Sequence, residues 1–164
     1  MMWTRRTRFD GACRRLADRH YNRQKVGSFQ FAPPGRVLVL HSKTTEGEAL
    51  WVTSWQNYVL HDWPGAWNNS CFRNEGVGLS SELIRQAVAA TRWWFDETPK
   101  EGMITFIDAG KVRRKRDPGR CYRKAGFKLV GKTKVRQLLV FQLLPEDMPQ
   151  PCAPWIPQLE LFGS

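Results

Sequence analysis

The chain has 164 residues, 41% of them hydrophobic and 12% aromatic, so its composition excludes a disordered chain and fits one folded domain. A formal net charge of +11 favours a polyanionic partner, with nucleic acid ahead of an anionic membrane. A basic protein without such a partner is the alternative. Clustering favours nucleic acid, because twelve of the 26 Lys and Arg residues lie between Lys111 and Arg136.

The cysteines are scattered and form no C-x-x-C pair, which argues against a zinc site and a disulfide framework. We therefore predict reduced thiols and a cytoplasmic location. The N-terminal stretch has arginines but no apolar segment typical of a signal peptide. No apolar run approaches the length of a membrane span, so no membrane is expected as a partner.

In the first half of the chain, local patterns predict a basic helix, a proline loop, a hairpin, a long aromatic loop and a short strand. The paired prolines cannot continue a helix, and the runs of apolar and β-branched residues that follow are typical of strands. The basic helix is predicted over 10–25, the proline loop over 31–35 and the hairpin over 36–42 and 50–56. The aromatic loop covers 62–70, and the short strand covers 70–74.

In the second half, an apolar face at helical spacing predicts a helix after Gly78, and a buried strand follows at 103–108. Asp117 is expected to cap a short helix that ends at Gly126. Two strands, 127–133 and 136–144, complete an α/β domain with a mixed sheet over residues 1–144. The proline-rich residues 145–164 are predicted to form a flexible tail.

The segment from Arg73 to Gly78 has the pattern R-x-x-G-x-G between a strand and a helix. Glycines at such a turn allow backbone N–H groups to point into a concavity, and the helix adds its positive N-terminal end. The pattern therefore predicts a diphosphate cradle. The dinucleotide-binding fingerprint fits less well, because no parallel βαβ unit precedes the glycines.

This motif resembles the coenzyme A pyrophosphate loop of the GNAT superfamily of N-acyltransferases, and the segment 121–127, CYRKAGF, resembles a second element of that superfamily. The resemblance implies a GNAT-like fold, with a mostly antiparallel sheet whose splayed central strands are flanked by helices. It also implies acetyl-CoA or a related acyl-CoA-like donor. The implied cofactor-binding residues are Arg73, Asn74, Gly76, Val77, Gly78 and Leu79.

Four short blocks, RHY (19–21), FRNE (72–75), FIDAGKVR (106–113) and CYRKAGF, resemble the Mom family of bacteriophage DNA-modification enzymes. That resemblance implies transfer of a carbamoylmethyl- or acyl-type group to the N6 amine of adenine in DNA, which protects phage DNA from restriction. The matching positions are His20, Tyr21, Arg73, Asp108 and Tyr122.

Transfer to an exocyclic base amine needs close positioning and a proton acceptor, because the lone pair is delocalised into the ring. Asp108 is the candidate for accepting that proton or for holding the amine, with a turn residue as the alternative. Tyr122 is the candidate acid toward the leaving thiolate, with a packed aromatic as the alternative. His20 and Tyr21 are candidate catalytic residues that contact the base or orient the amine, with a surface or packed helix histidine as the alternative. No ligand spacing indicates a metal, although iron at His20 stays open.

The run KVRRKRDPGRCYRK (111–124) is the strongest nucleic-acid signal, because it lies beside the candidate catalytic residues. Double-stranded DNA is the expected partner, and reaching a paired adenine requires its extrusion from the duplex. Aromatic residues around Trp55, Tyr58, Trp63 and Trp67 could stack on that base, or half could be core. The expected DNA-binding residues are Lys111, Arg113, Arg114, Lys115, Arg116, Arg120 and Arg123.

The tail segment QLELF (158–162) resembles the peptide by which bacterial DNA polymerases and repair proteins dock on the sliding clamp. Packing on the domain's own core is the alternative. The expected clamp-binding residues are Gln158, Leu159, Leu161 and Phe162.

These observations predict a Mom-like transferase acting on DNA. One alternative is a conventional acyl-CoA-dependent N-acetyltransferase for a small amine or a protein. The other is a non-catalytic basic DNA-binding module on a GNAT scaffold.

Overall fold

The computed structural model describes residues 1–19, 31–56, 62–111 and 117–157. Within these ranges the chain forms three helices and one mixed sheet of seven strands, which confirms the predicted α/β class. The strands are β1 (Thr4–Arg6), β2 (Arg36–Thr44), β3 (Gly47–Trp55), β4 (Trp67–Glu75), β5 (Met103–Ile107), β6 (Lys128–Lys132) and β7 (Leu139–Leu143); the helices are α1 (Gly11–Asp18), α2 (Ser80–Phe95) and α3 (Arg120–Lys124).

The sheet has the order β1-β2-β3-β4-β5-β7-β6, and every neighbouring pair is antiparallel except β4–β5. The parallel pairing covers three residue pairs and ends at Asn69–Thr105, although both strands continue beyond it. A β-bulge interrupts the β3–β4 register here, so that Val52 pairs with Cys71 and Thr53 pairs with Asn69. The bulge therefore lies where β4 and β5 part.

Helices cover the sheet on both faces, which explains why β2 and β3 have consecutive buried residues rather than strict alternation. The larger core cluster packs the apolar stripe of α2 against Trp51, Trp67 and Phe141. A second cluster packs Leu16 of α1 against the opposite face of the sheet. Asp10 caps α1 by accepting a hydrogen bond from the Cys13 backbone N–H at 3.0 Å.

Two local predictions differ from the structure. Residues 67–70 belong to β4 instead of a loop, and Trp67 is fully buried against Trp55. Asp117 does not cap α3, because Gly119 occupies the N-cap position with a φ of 83°. The side chain of Asp117 instead accepts a hydrogen bond from the Arg123 guanidinium, and its backbone carbonyl accepts from the Arg120 N–H at 3.2 Å.

The segment 145–157 packs on the domain, unlike the flexible tail that its composition predicts. Met148 is buried in the main core, and the Arg92 guanidinium donates to the Pro149 carbonyl at 2.8 Å. Trp155 pairs with β1, since the Arg5 N–H donates to its carbonyl at 2.7 Å. Backbone pairing of this kind needs no apolar periodicity, so composition does not reveal it. The clamp-binding candidates Gln158, Leu159, Leu161 and Phe162 lie outside the described residues.

No helix among the described residues is both long enough and apolar enough to cross a bilayer. All four cysteines, Cys13, Cys71, Cys121 and Cys152, fall within the described ranges, and none forms a disulfide.

Candidate active site

A buried polar network lies where β4 and β5 part. The Tyr122 hydroxyl of α3 donates a short hydrogen bond to Asn69 Oδ1, and the tyrosine is only 7% exposed. Asn69 Nδ2 donates to the Val52 carbonyl at 3.0 Å and to the Cys71 carbonyl at 2.9 Å. Thr105 Oγ1 donates to the Asn69 carbonyl at 3.1 Å. These bonds fix the amide of Asn69, which in turn orients the tyrosine hydroxyl.

Aromatic contacts hold the Tyr122 ring as well. Its centroid lies 5.3 Å from that of Phe127 and 6.3 Å from that of Phe72, and both contacts are edge-to-face. The packed-aromatic alternative for Tyr122 thus describes its ring, while the hydroxyl takes part in the polar network.

The glycine turn, residues 74–80, connects β4 to α2 and is held by Asn74. Asn74 Oδ1 accepts from the Val77 N–H at 2.9 Å, and Nδ2 donates to the Gly78 carbonyl at 2.8 Å and to Ser80 Oγ at 3.0 Å. Val77 is buried in the main core, whereas Leu79, at the N-cap of α2, is 65% exposed and provides no side-chain cap.

The two glycines of the turn have different surroundings. Gly76 has a φ of 99°, and a Cβ there would lie 2.7 Å from the Glu46 carbonyl oxygen in the β2–β3 turn. The backbone of the β2–β3 turn therefore lies so close to residue 76 that only glycine fits there. Gly78 differs, because no atom of the residues that the structure describes lies within 4 Å of a Cβ built on it at the start of α2.

Arg73 belongs to an ion-pair network centred on Glu75. Arg73 Nε pairs with Glu75 Oε2, and Arg73 Nη1 donates to the Arg19 carbonyl at the end of α1 at 2.7 Å. Two nitrogens of the Arg19 guanidinium donate to the Glu75 carboxylate, each at 2.8 Å. The hydrogen bonds from Arg19, together with those from Arg73, lower the pKa of Glu75 to about 2.

Asp108 follows β5 and forms a turn. Its Oδ1 accepts from the Gly110 N–H at 3.0 Å and from the Lys111 N–H at 3.3 Å. This is the arrangement expected of the turn-residue alternative, and it also fixes the carboxylate at the end of β5. A role for Asp108 in catalysis stays a prediction.

The structure describes three of the seven cations predicted to bind DNA. Lys111, Arg120 and Arg123 are exposed, although Arg123 also pairs with Asp117 and lies 5.1 Å from the Phe141 ring centroid. The remaining four, Arg113, Arg114, Lys115 and Arg116, lie outside the described residues, as do His20 and Tyr21.

The aromatic cluster divides between core and surface. Trp55 and Trp67 are buried, Trp63 is half-buried against Phe106, and Tyr58 lies outside the described residues. A core role for half of this cluster is therefore confirmed for Trp55 and Trp67.

Across the described ranges, no group of three or more His, Cys, Asp or Glu side chains is arranged to hold a metal. His41 is buried with Nε2 at 3.8 Å from Glu48 Oε1, and burial lowers the pKa of its imidazole.

The sequence-based reasoning missed Asn69, Thr105 and Glu75. The first two converge through the β-bulge and the β4–β5 pairing, which no local pattern announces. Glu75 was available within the R-x-x-G-x-G motif itself. Its spacing of two from Arg73 on a strand places both side chains on one face, which is the signal that could have identified the ion pair.

Comparison with known proteins yields no match: no protein-family model, no curated protein and no solved structure corresponds to this chain.

Proposed function

We propose that this chain is a transferase with a GNAT-like fold that elaborates the N6 amine of adenine in DNA, as the Mom family does. The observation that carries the proposal is the position of the Tyr122 hydroxyl, which is held by Asn69 at the last paired residues of β4 and β5. An oriented hydroxyl at the point where two strands part is suited to protonating a leaving group.

The sheet supports the GNAT-like part of the proposal. Among the strands that the structure describes, β4 and β5 alone pair in parallel, and their pairing stops after three residue pairs, as strands that splay around an extended donor require. From Asn69 to the start of the glycine turn at Asn74, β4 extends by about 16 Å, at about 3.3 Å per residue. That separation suits a donor whose anionic end and reacting end are far apart.

The residues at the start of α2 fit the anionic end of an acyl-CoA-like donor. Within the described ranges nothing lies within 4 Å of a Cβ built on Gly78, and the N-cap residue of α2 provides no side-chain cap. The first N–H groups of a helix have no partner within it, so they and the helix dipole favour a phosphate there. Such a donor supplies an acyl-type group activated on a thiol.

Two side chains of this chain would carry out the proton transfers. As the acyl-type group moves from sulfur to the adenine amine, Tyr122 gives its hydroxyl proton to the departing thiolate, and Asn69 holds the hydroxyl in place beforehand. Asp108, fixed by two backbone N–H groups, accepts the proton that the adenine amine loses. The exposed cations Lys111 and Arg120 bind phosphates of the DNA.

A second candidate is a non-catalytic basic DNA-binding module. The contacts of Arg73 with Glu75 and of Asp108 with its own turn favour it, because both side chains already have partners that stabilise the fold. A conventional N-acetyltransferase would use the same glycine turn and Tyr122 but would not need the basic surface.

Nucleoside mass spectrometry of plasmid DNA from bacteria expressing the protein tests the proposal. We expect a heavier deoxyadenosine species whose yield falls about 100-fold or more with Tyr122→Phe. Thr91→Val is the matched control, because it removes a buried hydroxyl, bonded to the Ala87 carbonyl at 2.8 Å, from the interior of α2. Unmodified DNA from folded wild-type protein would reject the DNA-modifying transferase and favour the conventional N-acetyltransferase or the binding module.

A further inference from the structure

The β6–β7 hairpin ends in a tip that is ordered by its own hydrogen bonds. The Thr133 N–H donates to the Leu138 carbonyl at 2.8 Å, and the Leu138 N–H donates to Thr133 Oγ1 at 2.9 Å. Gln137, with a φ of 58°, donates from its side chain to the Lys134 carbonyl at 2.8 Å. The tip is therefore a defined projection from the sheet.

The side chains at this tip do not serve the core. Val135 is 93% exposed, and the adjacent Lys134 and Arg136 are exposed as well. Hairpin tips usually have glycine, asparagine, aspartate or proline, because these residues suit the turn geometry. A β-branched apolar residue in this position gains nothing from folding, which indicates a contact outside the chain.

The hairpin is also uniformly basic. Lys128 and Lys132 are exposed on β6, and no Asp or Glu occurs from Lys128 to Leu144. Lysines on an edge strand can also serve to prevent edge-to-edge pairing of sheets. That role does not account for the apolar residue between two cations at the tip.

From this geometry, we propose that the β6–β7 hairpin docks in the major groove of duplex DNA, with Lys134 and Arg136 on phosphates and Val135 against base edges. The major groove is about 12 Å wide and admits a two-stranded β-ribbon, whereas the minor groove is about half as wide. The thymine methyl group, a suitable apolar contact for valine, lies in the major groove.

This docking mode rests on the proposed function and specifies it further. The exocyclic amine of adenine is displayed in the major groove, on the same edge as the thymine methyl of its base pair. A hairpin that reads this groove would position the protein on the side of the duplex where the reacting amine is found. None of the hairpin residues is among the cations that the sequence pattern of residues 111–124 indicates.

Fluorescence anisotropy with a labelled A·T-containing duplex over a range of salt concentrations tests the docking. For the double variant Lys134→Ala/Arg136→Ala, we expect the slope of log affinity against log salt to decrease in magnitude by about 1.8, at about 0.9 per lost phosphate contact. Affinity at 0.1 M salt should fall at least about tenfold. Lys43→Ala, an exposed cation on β2 far along the sheet, is the control and should leave both unchanged.

Val135→Ser tests the base contact separately. We expect about fivefold weaker binding to the thymine-containing duplex with an unchanged salt slope, and no difference between wild type and variant on a duplex with uracil in place of thymine. Equal thermal unfolding of all variants verifies that folding is unaffected.

Several outcomes would overturn the docking proposal: no duplex binding by the wild type, wild-type slopes in the double variant, an equal Val135→Ser effect on both duplexes, or preferred binding of double-stranded RNA. Nucleoside mass spectrometry separates this proposal from the proposed function. Modified deoxyadenosine together with unaltered binding by the hairpin variants would reject only the docking mode. Hairpin-dependent binding without modification would reject only the transferase.

Discussion

The two ends of β4 are held by different physical means. Near its start, Asn69 lies in a buried network of neutral hydrogen bonds with Tyr122 and with backbone carbonyls. At its end, Glu75 lies in a partly exposed network of charged groups with Arg19 and Arg73. The same strand thus connects a neutral, water-excluded site to a charged one at the surface.

This difference determines how each end responds to its surroundings. Neutral hydrogen bonds in the interior are insensitive to pH and salt, but a missing partner leaves a buried polar group unsatisfied. Ion pairs at the surface contribute less, and both protons and salt weaken them. One end of β4 is therefore rigid, and the other end adjusts to the solution.

The largest effect should come from removing the neutral network. Asn69→Leu leaves the Tyr122 hydroxyl and two backbone carbonyls without this partner, so we expect the free energy of unfolding to fall by about 3 kcal/mol. Asn68→Leu is the matched control. Asn68 Oδ1 is buried but has no hydrogen-bond partner in the described part of the chain. We therefore expect the free energy of unfolding to fall by less than about 1 kcal/mol in this variant. Urea unfolding of both variants measures the difference, and equal losses would contradict the assigned role of Asn69.

The glycine turn should respond next in size. Gly76→Ala combines a positive φ with a Cβ close to the Glu46 carbonyl oxygen, so we expect a loss of about 2 kcal/mol in the free energy of unfolding. Gly65→Ala is the control, since it has a φ of 83° but no atom of the described ranges within 4 Å of the added Cβ. Its loss should be about 1 kcal/mol. If thermal unfolding gives equal losses, the close approach at Gly76 does not constrain the turn.

The charged end should show a pH dependence. The folded state lowers the pKa of Glu75 to about 2 from 4.5, so its contribution is present above pH 4.5 and is lost as the pH falls toward 2. Because both arginines are partly exposed, we expect Glu75→Gln to cost only about 1 kcal/mol near neutral pH. The difference between wild type and variant should vanish near pH 2. Exposed Glu97→Gln serves as the control, and a constant difference between pH 6 and pH 2 would refute the linkage.

The smallest effect should be that of salt. At 1 M NaCl the cost of Glu75→Gln should fall below about 0.5 kcal/mol, because the Debye length shortens to about 3 Å. The cost of Asn69→Leu relative to Asn68→Leu should not change over the same range. Chemical unfolding by urea at low and high salt tests both statements, and a salt-dependent Asn69 effect would mean that the two ends of β4 are coupled.

Periodic elements of the fold were predictable from the sequence. The apolar residues of α2 repeat at helical spacing over four turns, and the consecutive apolar residues of β2 and β3 flank a short turn. The start of β4 was missed because asparagine is uncommon in strands and because Asn68 and Asn69 follow Pro64 and Gly65, which are typical of a loop. The three-residue β1 is too short to give a pattern.

Only the part of the candidate site that lies within a short sequence motif was predictable. The spacing of Arg73, Gly76 and Gly78 indicated a turn before a helix, and the structure has one. Which glycine has a close neighbour depends on the β2–β3 turn, a contact between distant parts of the chain. The hydrogen bond between Tyr122 and Asn69 depends on the β-bulge in β4. The spacing of residues in the sequence does not predict that bulge.

The segment that pairs with β1 through Trp155 makes the two edges of the sheet unequal. On that side, the chain's own backbone occupies hydrogen-bonding positions that a second molecule would need. On the other side, β6 ends the sheet without a further strand among the described residues. A sheet that is blocked on one side can join another copy only through its remaining edge. Strand pairing between copies would then stop at two molecules, so a longer fibre could not grow by this route.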